Sequence, residues 1–151
     1  AVNFIRSKGK INNIEIYNSK SDAIDMDFSD LNINSIKIDR AGNDCVDVSF
    51  GKYIFKKIDL NKCGDKGVSV GEISNVKIIY SSISNSQTAI ATKDSSVSKI
   101  NEIRSINNKV CIENYNKKKE FNGGITYLNN DISNECKDNI KIDKYSKIIF
   151  N

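Results

Sequence analysis

The stretch Asp22-Ala23-Ile24-Asp25-Met26 returns as Asp44-Cys45-Val46-Asp47-Val48 and again as Lys66-Gly67-Val68-Ser69-Val70. Ile24, Val46, Val68, Ile90 and Ile112 therefore stand at a constant step of 22 residues. Each follows a small residue, Ala23, Cys45, Gly67, Ala89 or Cys111. A unit this short cannot bury its apolar side alone and must stack on copies of itself. Small–apolar–polar–apolar alternation has the period of a strand with one face in and one out. A second apolar segment follows in each repeat, at Leu31–Ile33, Tyr53–Phe55, Val76–Ile78 and Val97–Ile100. A third is Ile36 with Ile38, Ile58 with Leu60, Tyr80 with Ile83, and Ile103 with Ile106.

Three short strands per turn, separated by Gly, Asn, Ser and Asp, predict an all-β fold. The expected architecture is a right-handed, single-stranded parallel β-helix, a solenoid of about 22 residues per coil. Asn43, Asn61, Asn85 and Asn107 suit its turns, because Asn tolerates left-handed backbone. The whole chain, 1–151, reads as one domain. Regular coils run over about 14–114, an irregular loop over about 115–124, and terminal coils or a cap over 125–151. The start at Ala1 is compatible with a mature protein, a trimmed chain or a piece of a longer one. Open solenoid ends need a cover, so a neighbouring protein at the ends is an expected partner.

Composition removes several function classes. The 151 residues include no histidine, which excludes Ser-His-Asp and Cys-His catalysis and imidazole zinc sites. A net charge of +4 from well-mixed acids and bases argues against a nucleic-acid partner. No apolar run is long enough to insert into a membrane. Cys45 and Cys111 share a column three repeats apart, so stacking separates them by roughly 14 Å. A disulfide needs Cα atoms within about 7 Å. Cys63 and Cys136 show no partner in the pattern, so four free, buried thiols are expected.

Stacking also aligns charges. Asp25, Asp47, Ser69, Ala91 and Glu113 form one outward column, and Asp27, Ser49, Gly71, Lys93 and Tyr115 another. Asp22, Asp44 and Lys66 precede the strand; Phe28, Phe50, Glu72 and Asp94 follow it. Asp25, Asp47, Asp65, Lys66, Glu72, Lys93 and Asp94 are thus the candidate binding residues. Carboxylates on adjacent coils approach the roughly 5–5.5 Å of retaining glycosidases, and diagonal ones the roughly 6.5–9.5 Å of inverting enzymes. Asp22, Asp44, Asp47 and Lys93 are therefore the catalytic candidates. Clustered oxygens also suit a cation, but the interleaved lysines argue against a metal. No cofactor is indicated.

Ser21-Asp22-Ala23-Ile24-Asp25, Gly42-Asn43-Asp44-Cys45-Val46, Cys63–Gly71 and Ala91-Thr92-Lys93 together resemble the catalytic coils of polygalacturonase-type glycoside hydrolases. That family is built as a right-handed β-helix. The resemblance covers about half the chain and maps Asp22, Asp44 and Lys93 onto catalytic-site positions. Asn43, Lys66 and Ala91 stand where the family has Asp, His and Arg. Asp27-Phe28-Ser29, Asp65 through Glu72, Lys93 through Ser96 and Tyr115 through Gly124 resemble a bacterial group of right-handed parallel β-helix repeat proteins. This second resemblance implies the fold and carries no settled activity.

The leading functional expectation is a non-catalytic module binding a glycan or a partner surface through the acid-and-lysine stripe. A polysaccharide hydrolase, lyase or epimerase in the same groove, and a structural spacer or spike segment, are the alternatives. A secreted or cell-surface setting goes with the glycan reading.

Overall fold

A computed structural model describes residues 1–129 and 132–151. Among these residues the chain forms thirteen strands. The short strands are β1 (Val2–Ile5), β3 (Ile24–Asp27), β5 (Val46–Ser49), β7 (Lys66–Gly71), β9 (Thr88–Lys93), β11 (Ile125–Leu128) and β13 (Lys147–Phe150). The long strands are β2 (Lys8–Ser19), β4 (Asp30–Ala41), β6 (Lys52–Cys63), β8 (Asn75–Ser84), β10 (Val97–Tyr115) and β12 (Ile132–Ile142). Every pairing is parallel, and the coils stack into a β-solenoid of about seven turns. One ladder runs β1-β3-β5-β7-β9-β10 and the other β2-β4-β6-β8-β10. They meet in β10, which turns a corner without breaking.

Ile24 pairs with Val46, and Val46 with Val68, as the 22-residue step requires. Each coil carries three ladder segments, but the second and third run on as one bent strand. The pairing skips Asn12 and Asn34 between the two segments. At that corner Asn34 Nδ2 donates to Asn12 Oδ1 at 3.1 Å.

Two further corners put residues in the left-handed region, one per coil except where Ile73 joins Glu72 and Ser95 joins Asp94. Arg6, Phe28, Phe50, Glu72 and Asp94 occupy one column, and Asn18, Arg40, Lys62, Asn85 and Asn107 the other. Asn43 and Asn61 do not adopt it; Arg40 and Lys62 do. The stacking geometry fixes where the chain must turn, and this outweighs the local preference of Asn.

The step is 22 along the ladder from β1 through β9 to the end of β10, but Tyr53 pairs with Val76, a step of 23, and Val97 with Ile125, a step of 28. Coil 4 gains a residue at Glu72-Ile73, and the turn after β8 is one residue shorter. The long-strand phase therefore shifts by one. This corrects the third segment: Ser81 and Ile83, then Ile103 and Ser105, point inward, while Tyr80 and Ile106 do not.

The interior is a set of stacked columns of buried side chains. Ile24, Val46, Val68, Ile90 and Ile112 form one, and Ile33, Phe55, Ile78 and Ile100 another. Burying each such side chain contributes about 1.5–3 kcal/mol. Tyr53 is also inside, and the single proton of its hydroxyl is shared between the Met26 and Ser49 carbonyls, each 3.0 Å away.

The expectation of four free thiols is overturned. Cys45 bonds Cys63 and Cys111 bonds Cys136, with Cα separations of 5.3 and 5.7 Å. Cys63, the last residue of β6, stacks on Ala41, and Cys136, inside β12, stacks on Asn108. Cys45 lies just before β5 and Cys63 at the end of β6, whereas Cys111 and Cys136 both lie within long strands, β10 and β12. The relevant neighbours lie across the coil, not along a column.

Candidate functional site

The outer face of the short strands carries the candidate residues as three adjoining clusters. The first lies in the turns leading into the strands. Asp22 Oδ1 accepts from the Asn43 side chain at 2.8 Å and from the Asp44 backbone N–H at 2.9 Å. Asp44 Oδ1 accepts from the Lys66 backbone N–H at 2.9 Å. Each aspartate thus ties its own coil to the next, the work of a cap on an otherwise orphaned donor. The Lys66 ammonium is ion-paired with Asp65 and stands 3.8 Å from Asp44. Burial pushes the Asp44 carboxyl up, and the Lys66 charge and N–H only partly offset this. Burial works against the Lys66 charge too, but Asp65 and Asp44 hold its affinity for the proton above the usual lysine range.

The second cluster is the strand itself. Asp25 and Asp47 are register neighbours on β3 and β5, roughly 4.8 Å apart in stacking distance. Burial, then the charges of Asp27, Asp47 and Asp22, raise Asp25. Burial also raises Asp47, with Lys93 and Ser69 pulling the other way. Lys93 reaches down from β9 and its ammonium donates to Ser69 Oγ at 2.8 Å. Its side chain is 6% exposed. Gly71 makes this possible, because a Cβ there would come within 2.9 Å of Lys93 Cε. Tyr115 lies in the same neighbourhood, its hydroxyl pushed up to about 12 by burial. Among the described residues, Asp25 and Asp27 have no side-chain hydrogen bond or ion pair.

The third cluster sits at the turn after the strands. Glu72 Oε2 accepts from Ser49 Oγ at 2.6 Å, and Glu72 Oε1 meets Lys118 Nζ at 2.5 Å. Burial alone would raise Glu72, but these two partners hold it below the usual glutamate range. Asp94 is fully buried and caps the backbone N–H groups of Lys117 and Lys118 at 2.8 Å each. It therefore pins the 116–124 loop onto the face. Phe28 and Phe50 stack at 4.8 Å beside it, with Phe121 of the loop edge-on to Phe50 at 6.5 Å.

The structure thus brings the predicted residues onto one face but gives them different work. Asp22, Asp44 and Asp94 bind backbone; Glu72 and Lys66 are ion-paired; Lys93 is sequestered. Asp25, Asp47 and Asp65 are half-buried, and of these Asp65 is the ion-pair partner of Lys66. Sequence reasoning missed Lys118, Ser49 and Ser69. The column pattern lists Ser49 and Ser69 as outward residues, so they were available as ligands. Lys118 lies in an insertion outside the repeat, and no periodic signal places it. Among the described residues no three His, Cys, Asp or Glu side chains gather in a way that could hold a metal ion. Comparison with protein families, curated proteins and solved structures finds no match for this chain.

Proposed function

We propose that the chain is a non-catalytic β-solenoid module that takes a hydroxyl-rich glycan along the outer face of its short strands. The observation that carries this reading is the pair Asp25 and Asp27, unpartnered carboxylates beside Asp47 on a rigid parallel ladder. Carboxylate oxygens accept hydrogen bonds from sugar hydroxyls, and a fixed ladder spends little entropy when it does so. The excess of acids on this face favours a neutral glycan over a polyanion.

Two of the four catalytic candidates, Asp22 and Asp44, already cap backbone N–H groups, which weighs against a hydrolase of polygalacturonase type. Lys66 and Ala91 also stand where that family has His and Arg. Two disulfides support an oxidising compartment, in keeping with a secreted or cell-surface protein.

The test is affinity electrophoresis through gels containing neutral polysaccharides, with reducing-end release measured in parallel. Retardation without release is expected, and Asp25→Ala with Asp47→Ala should weaken it at least about tenfold. Release of reducing ends that Asp47→Ala abolishes would replace this reading with the enzymatic one. Absence of retardation by every polymer would leave the spacer reading.

A further inference from the structure

The three faces of the solenoid differ in charge. The short-strand face is acidic. The second half of the long strands is mixed, with Glu15, Asp59 and Glu102 among Lys37, Lys57 and Arg104. The first half of the long strands is different. Its outward columns and corner carry Lys10, Lys52, Lys56, Lys77, Lys99 and Lys147, all exposed. Asp30 is the one acid among the described residues of these columns, and Lys8 takes it at 3.8 Å. None of the six other lysines has an ion pair among the described residues.

Register makes this patch dense. Lys77 stacks directly on Lys99, with Ile54 on one side and Tyr127 on the other. Like charges opposite one another on adjacent strands repel and cost stability. Among the described residues neither lysine has an ion pair to relieve that cost. A cleft of about 390 Å³ opens there, lined by Lys77, Lys99, Asn101, Tyr127 and Asn129. Two ammonium groups and two amides thus converge on one concavity. The ammonium groups suit a carboxylate or sulfate, and the amides suit adjacent hydroxyls.

We infer that this face is a second binding surface, for a linear acidic polysaccharide whose anionic groups follow the lysine columns. The inference does not rest on the reading of the short-strand face. A single-stranded nucleic acid fits less well. Such binders offer aromatic faces to the bases, whereas the one aromatic ring lining the cleft among the described residues, Tyr127, has Lys99 Nζ 5.8 Å from its centroid. The patch also contains no arginine for bidentate phosphate contacts.

Affinity electrophoresis in gels containing polygalacturonate, with dextran and a single-stranded oligonucleotide as comparisons, tests this. The chain should be retarded by polygalacturonate through the lysine columns, whereas any retardation by dextran belongs to the short-strand face and should not respond to the lysine variants. Apparent affinity should fall at least about tenfold between about 0.05 and about 0.3 M salt. Lys77→Glu with Lys99→Glu should weaken retardation by about tenfold or more. Lys77→Gln with Lys99→Gln should act in the same direction while leaving the strands intact. Lys37→Glu, on the mixed face, should change it less than about twofold. Equal retardation of the double variants, indifference to salt, or tighter binding of the oligonucleotide would each overturn the inference. A failure of the short-strand reading shows instead with neutral polymers and the Asp25 and Asp47 variants, so the two failures are distinguishable.

Discussion

The lower and upper coils share one backbone geometry but fill it differently. In coils 2 to 4 one inward column reads Leu31, Tyr53, Val76; in coils 5 and 6 it becomes Ser98 and Thr126. Another passes from Ile38, Leu60 and Ile83 to Ser105. The upper interior keeps apolar columns, such as Ile90 with Ile112 and Ile78 with Ile100, but adds a hydrogen-bonded polar one. Thr92 and Ser98 Oγ atoms lie 2.7 Å apart, and Ser98 and Thr126 2.9 Å. Thr126 donates to Asn114 Oδ1 at 2.8 Å, and Asn114 Nδ2 donates to the Lys147 carbonyl at 2.8 Å. The ladder does not dictate what fills the lumen, provided that each polar group finds a partner. The two halves should therefore fail differently. An apolar column loses packing when a side chain is cut, while the polar one depends on every member remaining in place.

The sharpest break is in the lower half. Phe55→Ala removes a fully buried ring from the middle of a column. It should cost about 3–5 kcal/mol, read from the denaturant midpoint. A loss below about 1 kcal/mol would mean that the lower lumen is not close-packed.

Each half also has one disulfide, closing separations of 18 and 25 residues. Replacing either pair by alanine should cost about 3 kcal/mol. The location of the damage should differ. Without Cys111–Cys136, amide exchange should accelerate first in β11 and β13, where little apolar burial remains to hold the coils. Without Cys45–Cys63, the lower coils should stay protected. Identical exchange maps for the two variants would erase the distinction between the halves.

The smallest effect concerns the outer face. Asp47 is raised on folding, so the folded state holds its proton more tightly than the unfolded chain. Its contribution is most favourable at low pH. It turns unfavourable as pH rises through the unfolded value of 3.8 to the folded one. Asp47→Asn should therefore raise the melting temperature at pH 7 by the equivalent of under about 1 kcal/mol, and the gain should vanish near pH 3. Glu72 is lowered, and the sign reverses. Its contribution is present above the unfolded 4.5 and is lost as pH falls through the folded value. Glu72→Gln should lower stability at pH 7 and have no effect in acid. Matching signs for the two variants would show that the face is electrostatically uniform.

Much of this was legible before any coordinate. The step from Ile24 to Ile112 placed Asp25 beside Asp47 and Gly71 beside Lys93. The loop after Tyr115 and the resumption of strand at Ile125 were also visible. What Asp22 and Asp44 do was not. A column assigns neighbours along the axis, but a carboxylate's choice between backbone N–H and solvent depends on the turn's path. Lys118 and the loop's docking on Asp94 were invisible because an insertion has no period.

The sequence by itself determined that this chain stacks in parallel at 22 residues per coil and which residues share a column. Tertiary structure alone decided which columns face each other across the coil, and so made Cys45–Cys63 and Cys111–Cys136 possible. It also decided how the charges divide among three faces. The physical reason is that a repeat length fixes translation along the axis, whereas the angles at the corners, set by left-handed residues such as Phe28 and Arg40, fix what lies across it.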